Sequence, residues 1–238
     1  PNALENFTGT DAAFEAIVEN YITTTVTRYK GKIDSWDVVN EAIADNKSSL
    51  RPTIFRQRMG ENYVEKCFQF ARNADPDVKL FYNDYNMVID ASKRLGALNL
   101  VDNLMNKNLI DGVGYQMHIN VNSPSEAEMQ VATNELINRE LLIHYSELDV
   151  RTNPQGQLTE FTENVAFIQR NKVSQVTRVY KSIPINLKYA LTIWGLKDDD
   201  SWITPRFGII DWPLLFDNSY NSFDSGQRAN NVLSKLNR

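Results

Sequence analysis

The chain has 238 residues, of which 42% are hydrophobic and 23% are charged, a composition typical of a globular domain with a sizeable core. The formal net charge is -5 and Lys and Arg form no cluster, which disfavours nucleic acid as a partner and is compatible with a neutral polymer. No segment approaches the roughly 18 consecutive apolar residues of a membrane span, so none is expected.

The first predicted helix runs from Asp11 to Tyr29. Its apolar residues recur at helical spacing, Thr10 is placed to cap its N-terminus, and Gly31 is placed to end it. The segment that follows, IDSWDVVNE, is short, β-branched and apolar until it ends in polar residues. This pattern predicts a buried strand whose C-terminal end carries function.

The same order of helix and strand repeats along the rest of the chain. A helix around Cys67, the only cysteine, leads to VKLFYNDYN, and a helix around Val101 leads to DGVGYQMHI. The stretch from Ser123 to Glu126 is interpreted as a capping box with Pro124 at the first helical position, and its helix leads to LLIHYSELDV. A helix from about Phe161 to Lys181 leads to YALTIWG. Five strands separated by helices predict a parallel sheet covered by helices.

Polar and aromatic side chains gather at the C-terminal end of each predicted strand: Asn40, Glu41, Asn83, Asp84, Tyr85, Asn86, Gln116, His118, Glu147, Asp149 and Trp194. A (β/α)8 barrel places its active site at this end of its strands. A doubly wound sheet would also bind ligands there, but its usual glycine-rich phosphate turn, G-x-G-x-x-G, is absent from the sequence. The predicted fold class is therefore α/β, a (β/α)8 TIM barrel that is incomplete, with about five of the eight βα units.

Two glutamates are candidates for the carboxyl pair of a retaining glycosidase, which needs one protonated and one ionised carboxyl about 5 Å apart. Glu41 follows the apolar run WDVVN, and there burial and a nearby carboxylate would raise its pKa, as suits a general acid. For any single such residue, a solvated glutamate at a strand-to-loop junction is the commoner explanation. The pair, rather than either residue, carries the prediction.

Glu147 lies inside the strand LLIHYSELDV, where an acidic residue needs a partner or a function. Regular alternation puts it on one face with Ile143, Tyr145 and Asp149, and puts His144 on the other face, toward a helix. A structural carboxylate in an ion pair remains an alternative interpretation of Glu147.

Three ring-bearing residues are further candidates for the same site. His118 shares its strand face with Gln116 and could donate a hydrogen bond to a neighbouring carboxylate. Trp194 and Trp202 could offer flat apolar faces to the C–H surface of a sugar.

Taken in chain order, the motifs WDVVNEAI, LFYNDYN, DGVGYQMHI, SELDV and TIWGLKDDDSWI followed by PLLFD resemble glycoside hydrolase family 10, the endo-β-1,4-xylanases. The resemblance covers the chain from about Thr10 to the end, and it implies that residues 1–238 are the C-terminal part, strands 4 to 8, of the catalytic domain. It implies hydrolysis of β-1,4-xylan by a retaining double displacement, with Glu41 as acid/base and Glu147 as nucleophile. It implies no metal or organic cofactor.

The same resemblance assigns residues around the acid/base. Asn40 would hold the 2-hydroxyl of the sugar that is cleaved, and Tyr85 would line the first leaving-group subsite. Asn83 and Asp84 would support the acid/base.

On the nucleophile side, the resemblance implies that Gln116 and His118 pair with Glu147 and its surroundings. Trp194 and Trp202 would form the floor and the wall of the glycone subsites.

The sequence departs from the family pattern at three places next to the catalytic motifs. Met117 stands where a small residue is usual, Tyr145-Ser146 where Ile-Thr is usual, and Asn221-Ser222-Phe223 where Lys-Pro-Ala is usual. These differences bear on substrate preference more than on the chemistry.

The residues that family members use to bind the second glycone sugar, carried on three earlier strands, are not found in residues 1 to 30. We therefore hypothesise that the chain is the part of a split barrel that follows an inserted carbohydrate-binding module, or a truncated chain. An open five-strand arc leaves two edges and an apolar interior uncovered, so it is expected to need its other strands, from the same parent chain or from a partner chain.

The start of the chain, PNALENFTG, lacks the charged and apolar segments of an export signal. The family resemblance nevertheless implies a secreted, periplasmic or cell-surface protein whose signal lies outside these residues. Two other functions stay open at this point. One is a related barrel glycosidase that acts on β-1,4-glucan or mannan, and the other is an inactive fragment that binds xylan without turnover.

Overall fold

The computed structural model describes residues 2–219, so the family departure at Asn221 to Phe223 lies outside the described residues. Within this part, the chain forms two compact units: unit 1 extends to Gly114 and unit 2 begins at Tyr115. No helix between residues 2 and 219 is both long enough and apolar enough to cross a membrane.

Each of the five strands lies where the sequence predicts it: β1 (Ser35–Asn40), β2 (Lys79–Tyr85), β3 (Gly112–Asn120), β4 (Leu142–Arg151) and β5 (Lys188–Ile193). Their order in the sheet is their order in the chain, β1-β2-β3-β4-β5. A doubly wound sheet instead reverses its strand order at a switch point. The predicted fold class, an incomplete (β/α)8 barrel with about five of its eight units, is confirmed.

Unit 1 consists of helices packed on the parallel pair β1 and β2. Its helices are α1 (Asn2–Glu5), α2 (Asp11–Arg28), α3 (Ile54–Met59), α4 (Tyr63–Ala74) and α5 (Ala91–Met105). α2 begins at the predicted cap, because Thr10 Oγ1 accepts a hydrogen bond from Ala13 N at 3.2 Å. The helix α3 was not predicted, because its six residues are too few to show a helical period.

Unit 2 contains most of β3 and the parallel pair β4 and β5. Its helices are α6 (Glu126–Ile137), α7 (Glu163–Ser182), a 3-10 turn (Asp198–Asp200) and α8 (Ile203–Phe207). The buried side chains of α7 are mostly β-branched or aromatic, and they include Val165, Val173, Val176, Val179 and Tyr180.

The capping box of α6 is two residues later than predicted. Ser125 is the N-cap: its Oγ accepts from Glu128 N at 3.2 Å, and Glu128 Oε2 accepts from Ser125 N at 2.7 Å. Ser123 cannot begin the helix because its backbone N and O both bond with the backbone of Asn120. Pro124 therefore precedes the cap, after a cis peptide bond, and does not occupy the first helical position.

Candidate active site

Glu41 is the first residue after β1, and its backbone is in the left-handed region, with a φ of 58°. A glutamate there is strained, and such residues are frequent at functional sites. Its backbone N donates to Asn83 O at 2.9 Å, so the position is fixed by β2. Its carboxylate accepts from Asn40 Nδ2 at 3.1 Å, and Asn83 Nδ2 donates to Asn40 Oδ1 at 2.9 Å. The two amides thus orient Glu41.

The backbone that follows Glu41 is held by two buried side chains of β2. The hydroxyl of Tyr82 accepts from Ala42 N at 3.1 Å and from Ile43 N at 3.3 Å. The same hydroxyl donates to Asp84 Oδ2 at 2.5 Å. Burial raises the pKa of Asp84, while Lys93 and Tyr82 act in the opposite direction. Sequence reasoning missed Tyr82, because a tyrosine inside an apolar strand resembles a packing residue until its hydroxyl partner is known.

Tyr85, at the end of β2, lies among three charged residues. Its hydroxyl donates to Asp45 Oδ2 at 2.8 Å and accepts from Arg51 Nη2 at 2.6 Å. The ammonium of Lys93 lies 3.4 Å from the centroid of its ring. Burial raises the pKa of Tyr85. None of these charged partners was a candidate from the sequence, since no local pattern links them to β2.

In unit 2, the strand β4 is irregular at the second candidate glutamate. Glu147 also has a positive φ, 57°, and the register of β4 with β5 shifts between Tyr145 and Leu148. Before the shift, Tyr145 faces the helices, with its hydroxyl 2.5 Å from Thr133 Oγ1 of α6. After it, Glu147 contacts His118 instead. The prediction that Tyr145 and Glu147 share one face is wrong, because the bulge breaks the alternation of the strand.

His144 does not face a helix, and that prediction is also wrong. Its Nε2 lies 2.8 Å from Thr192 Oγ1, and its ring meets that of Tyr189 edge-on at 5.7 Å. Both partners belong to β5. Since Tyr145 takes the helix side, its neighbour His144 takes the opposite side. Burial lowers the pKa of His144, with Glu147 acting in the opposite direction.

His118, in β3, joins two carboxylates of β4. Its Nε2 lies 3.1 Å from Glu147 Oε2 and its Nδ1 lies 2.8 Å from Asp149 Oδ2. Burial alone lowers the pKa of His118, but the hydrogen bonds to Asp149 and Glu147 prevail and raise it to about 9. At neutral pH the imidazolium donates one N–H to each carboxylate. Gln116 is also buried in β3 and, by alternation, lies on the same face as His118.

Both candidate tryptophans lie next to this cluster. The ring of Trp202 is 5.0 Å from that of His118, and the ring of Trp194 is 6.2 Å from it. Trp202 Nε1 donates to Asp149 Oδ2 at 2.8 Å, which fixes the orientation of the indole. The two residues are 37% and 47% exposed, so ring surface remains available to a ligand. The hydrogen bond from Trp202 was not predicted.

The two glutamates belong to different units, Glu41 to unit 1 and Glu147 to unit 2. Their expected separation of about 5 Å stays a prediction. Within residues 2–219, no group of three or more His, Cys, Asp or Glu side chains is placed to hold a metal ion.

The raised pKa of His118 gives a pH-dependent contribution to stability. Because folding raises this pKa from 6.5 to about 9, the contribution is fully present below pH 6.5 and is lost as the pH rises through about 9. We expect His118→Gln to lower the free energy of unfolding by about 3 kcal/mol at pH 6.5, since it leaves buried carboxylates without their cation. The difference from wild type, followed by thermal unfolding, should shrink by pH 10.

His144→Gln is the matched control for this measurement. The pKa of His144 is lowered, so its protonation state does not change between pH 7 and 10 and the effect of its replacement should stay constant there. A destabilisation by His118→Gln that is the same at pH 7 and pH 10 would contradict the charged state assigned to His118.

Comparisons with known proteins identify the family and relatives that this chain resembles. The family model described as glycosyl hydrolase family 10 matches residues 1–228. The chain is 36% identical to an endo-β-1,4-xylanase Xyn10C of Cellvibrio japonicus, over 93% of this chain and 40% of the relative. It is 34% identical to an endo-1,4-β-xylanase of Geobacillus stearothermophilus, over 95% of this chain and 70% of the relative.

Solved structures show the same similarity. A variant of xylanase 10C of Cellvibrio japonicus in complex with xylopentaose superposes with a TM-score of 0.91 at 34% identity, over 99% of this chain and 50% of that chain. Native xylanase 10B of Thermotoga maritima superposes with a TM-score of 0.88 at 29% identity, over 99% of this chain and 71% of that chain. The chain thus spans about half the length of some of the relatives that it matches.

Proposed function

This chain belongs to glycosyl hydrolase family 10, and from that premise we propose that the protein that contains it is an endo-β-1,4-xylanase that retains anomeric configuration. The observation that carries the proposal is the conformation of the two glutamates: Glu41, directly after β1, and Glu147, within β4, both have a positive φ. Such backbone strain persists only where surrounding contacts hold it, and it is frequent at catalytic residues.

The proposed reaction has two steps. In the first, the carboxylate of Glu147 attacks the anomeric carbon while Glu41 donates a proton to the leaving oxygen, and a glycosyl ester on Glu147 forms. In the second, Glu41 takes a proton from water, which attacks the same carbon and releases Glu147. His118 holds Glu147 in place by the hydrogen bond from Nε2.

The sugar-binding roles are proposed from the resemblance to the family, and the contacts of the side chains support them. Asn40 contacts Glu41 and is proposed to hold the 2-hydroxyl of the sugar that is cleaved. Tyr85 is proposed to line the first leaving-group subsite. Asn83 is proposed to support Glu41 through its contact with Asn40, and Asp84 through its contact with Tyr82.

In unit 2, Trp194 and Trp202 are proposed as the floor and wall of the glycone subsites, with apolar ring surface exposed. Gln116 is proposed to act beside His118, with which it shares a strand face. The names of the relatives support xylan or xylo-oligosaccharide as the substrate. No cofactor is proposed.

We further propose that the remaining strands of the barrel complete the site, from the same parent chain or from a partner chain. An inserted carbohydrate-binding module is part of this proposal, as is a secreted, periplasmic or cell-surface location. An incomplete barrel leaves strand edges unpaired, so we expect the chain to need the added strands for a stable fold. Turnover should therefore require them as well. The chain alone and the complete barrel should therefore be compared on the same substrate.

The test of function is the configuration of the first product. Proton NMR during hydrolysis of a xylo-oligosaccharide by the complete barrel should show the β-anomer first, with the α-anomer appearing by mutarotation. An α-anomer that appears first would exclude the mechanism. Faster cleavage of carboxymethyl cellulose than of xylan would favour a glucanase, and binding of xylan without turnover by the complete barrel would favour a binding protein.

A further inference from the structure

Lys93, in the first turn of α5, is fully buried, with an exposed fraction of 0%. Its Nζ lies 2.8 Å from Asp84 Oδ1, which is equally buried, and 3.1 Å from Asp45 Oδ1. It also lies over the ring of Tyr85. A buried ammonium is stable only when paired, so the ion pairs define where each of these groups can be.

α5 contacts the segment that follows Glu41 at three points, one turn apart. We call residues 42–53 the acid/base loop. Asp90, the N-cap of α5, accepts from Asn46 N of this loop at 2.9 Å. Lys93 binds Asp45. A Cβ on Gly96 would lie 2.6 Å from Ser48 O, so the loop backbone rests directly on the helix.

The acid/base loop is closed on itself, so its position is transmitted to Glu41. Ala44 N donates to Ser49 O at 2.9 Å, and Arg51 N donates to Ala42 O at 2.8 Å. The end of the loop nearest to Glu41 is held by Asp84, which accepts from Ile43 N at 3.4 Å. Lys93 therefore binds two carboxylates: that of Asp84, which holds the start of the loop, and that of Asp45, which lies within the loop.

We propose that Lys93 is a positioning residue for the proton transfer by Glu41, an inference that rests on the acid/base role proposed for Glu41. Lys93 touches neither Glu41 nor any reacting atom in this arrangement. It acts by fixing Asp84 and Asp45, and through them the loop and the ring of Tyr85. The contacts of Glu147 with His118 involve other residues, so the nucleophile keeps its partners when Lys93 is replaced.

The test separates proton transfer from nucleophilic attack by the choice of leaving group. A 2,4-dinitrophenyl xylobioside needs no proton on its leaving group, whereas xylotriose does. In the complete barrel, Lys93→Met should lower kcat/KM for xylotriose by about 10²-fold, the loss expected from a misplacement of about 1 Å, and should change kcat/KM for the activated substrate far less. Equal losses on both substrates, or no loss on either, would overturn the proposal.

Asp45→Asn keeps the inference testable if Lys93→Met does not fold. Asp45 is half-exposed, and its replacement leaves the buried pair of Lys93 and Asp84 intact. It should produce the same selective loss, smaller in size. Gly96→Ala should do so as well, because the added methyl group displaces Ser48. If both of these variants fold and treat the two substrates alike, the proposal is wrong.

Lys172→Met is the matched control. Lys172, in α7 of unit 2, is also buried, and its Nζ donates to Pro124 O at 2.7 Å. Its replacement should leave the ratio of the two kcat/KM values unchanged. Wild-type protein that cleaves neither substrate would refute the proposed function. Active wild type with a selective loss in Glu41→Ala but not in Lys93→Met, or in neither Asp45→Asn nor Gly96→Ala if Lys93→Met does not fold, would refute the role of Lys93 alone.

Discussion

We expect Glu147→Ala to lower kcat for xylo-oligosaccharide hydrolysis by about 10⁴-fold or more, the loss typical of removing a residue that forms a covalent intermediate. The variant keeps His118 and its hydrogen bond to Asp149, so the surrounding cluster remains. Initial rates of the complete barrel on xylotriose give the measurement. Glu140→Ala is the control, because Glu140 is exposed, precedes the same strand, and has a similar φ of 56°.

Azide then identifies the role of Glu147 by stereochemistry. In a retaining β-glycosidase the nucleophile attacks from the α face, so azide in the space left by its carboxylate should react with 2,4-dinitrophenyl xylobioside to give the α-xylobiosyl azide. The product is identified by proton NMR. Full activity of Glu147→Ala, or recovery with a β-azide, is incompatible with Glu147 as nucleophile.

We expect Glu41→Ala to have the second-largest effect on activity, and we expect the size of that effect to depend on the leaving group. Loss of general acid catalysis should lower kcat/KM for xylotriose by about 10²- to 10⁴-fold. The 2,4-dinitrophenyl xylobioside should keep most of its kcat/KM, because its leaving group departs without a proton. Glu61→Ala is the control in the same unit, since Glu61 is well exposed and pairs with Arg56.

Azide should also restore turnover of Glu41→Ala, with the opposite stereochemistry. The glycosyl ester on Glu147 forms normally with the activated substrate and accumulates, and azide attacks it from the β face, where Glu41 acts as base. The expected product is the β-xylobiosyl azide. Equal losses on both substrates without azide rescue would mean that Glu41 is structural.

The positions of the strands and several helix ends could be predicted from the sequence. These features depend on local chemistry: apolar runs with polar ends for the strands, and a side-chain oxygen at Thr10 for the start of α2. Because the prediction used only neighbouring residues, it placed the N-cap of α6 at Ser123 instead of Ser125. Ser123 and Ser125 both have a side chain that can cap, and only the turn between Asn120 and Ser123 selects the later one.

The directions of the site residues in β4 could not be predicted. Periodicity assumes a regular strand, and it fails at Glu147, where a positive φ and a shift in register place Tyr145 on the helix side and His144 on the other. A glutamate rarely adopts this backbone, so no local pattern announces it.

By itself, the sequence determined the family, the order of strands and helices, and the residue types at each strand end, because motifs and periodicity are properties of neighbouring residues. Only the tertiary structure decided which charges support them. Lys93 looks like an ordinary surface residue of a helix, and a lysine is almost never fully buried. Its ion pair with Asp45 spans 48 positions of the chain. The nearer partner of Lys93 is Asp84, and these two groups pair because folding removes both of them from water, where an unpaired charge would be costly.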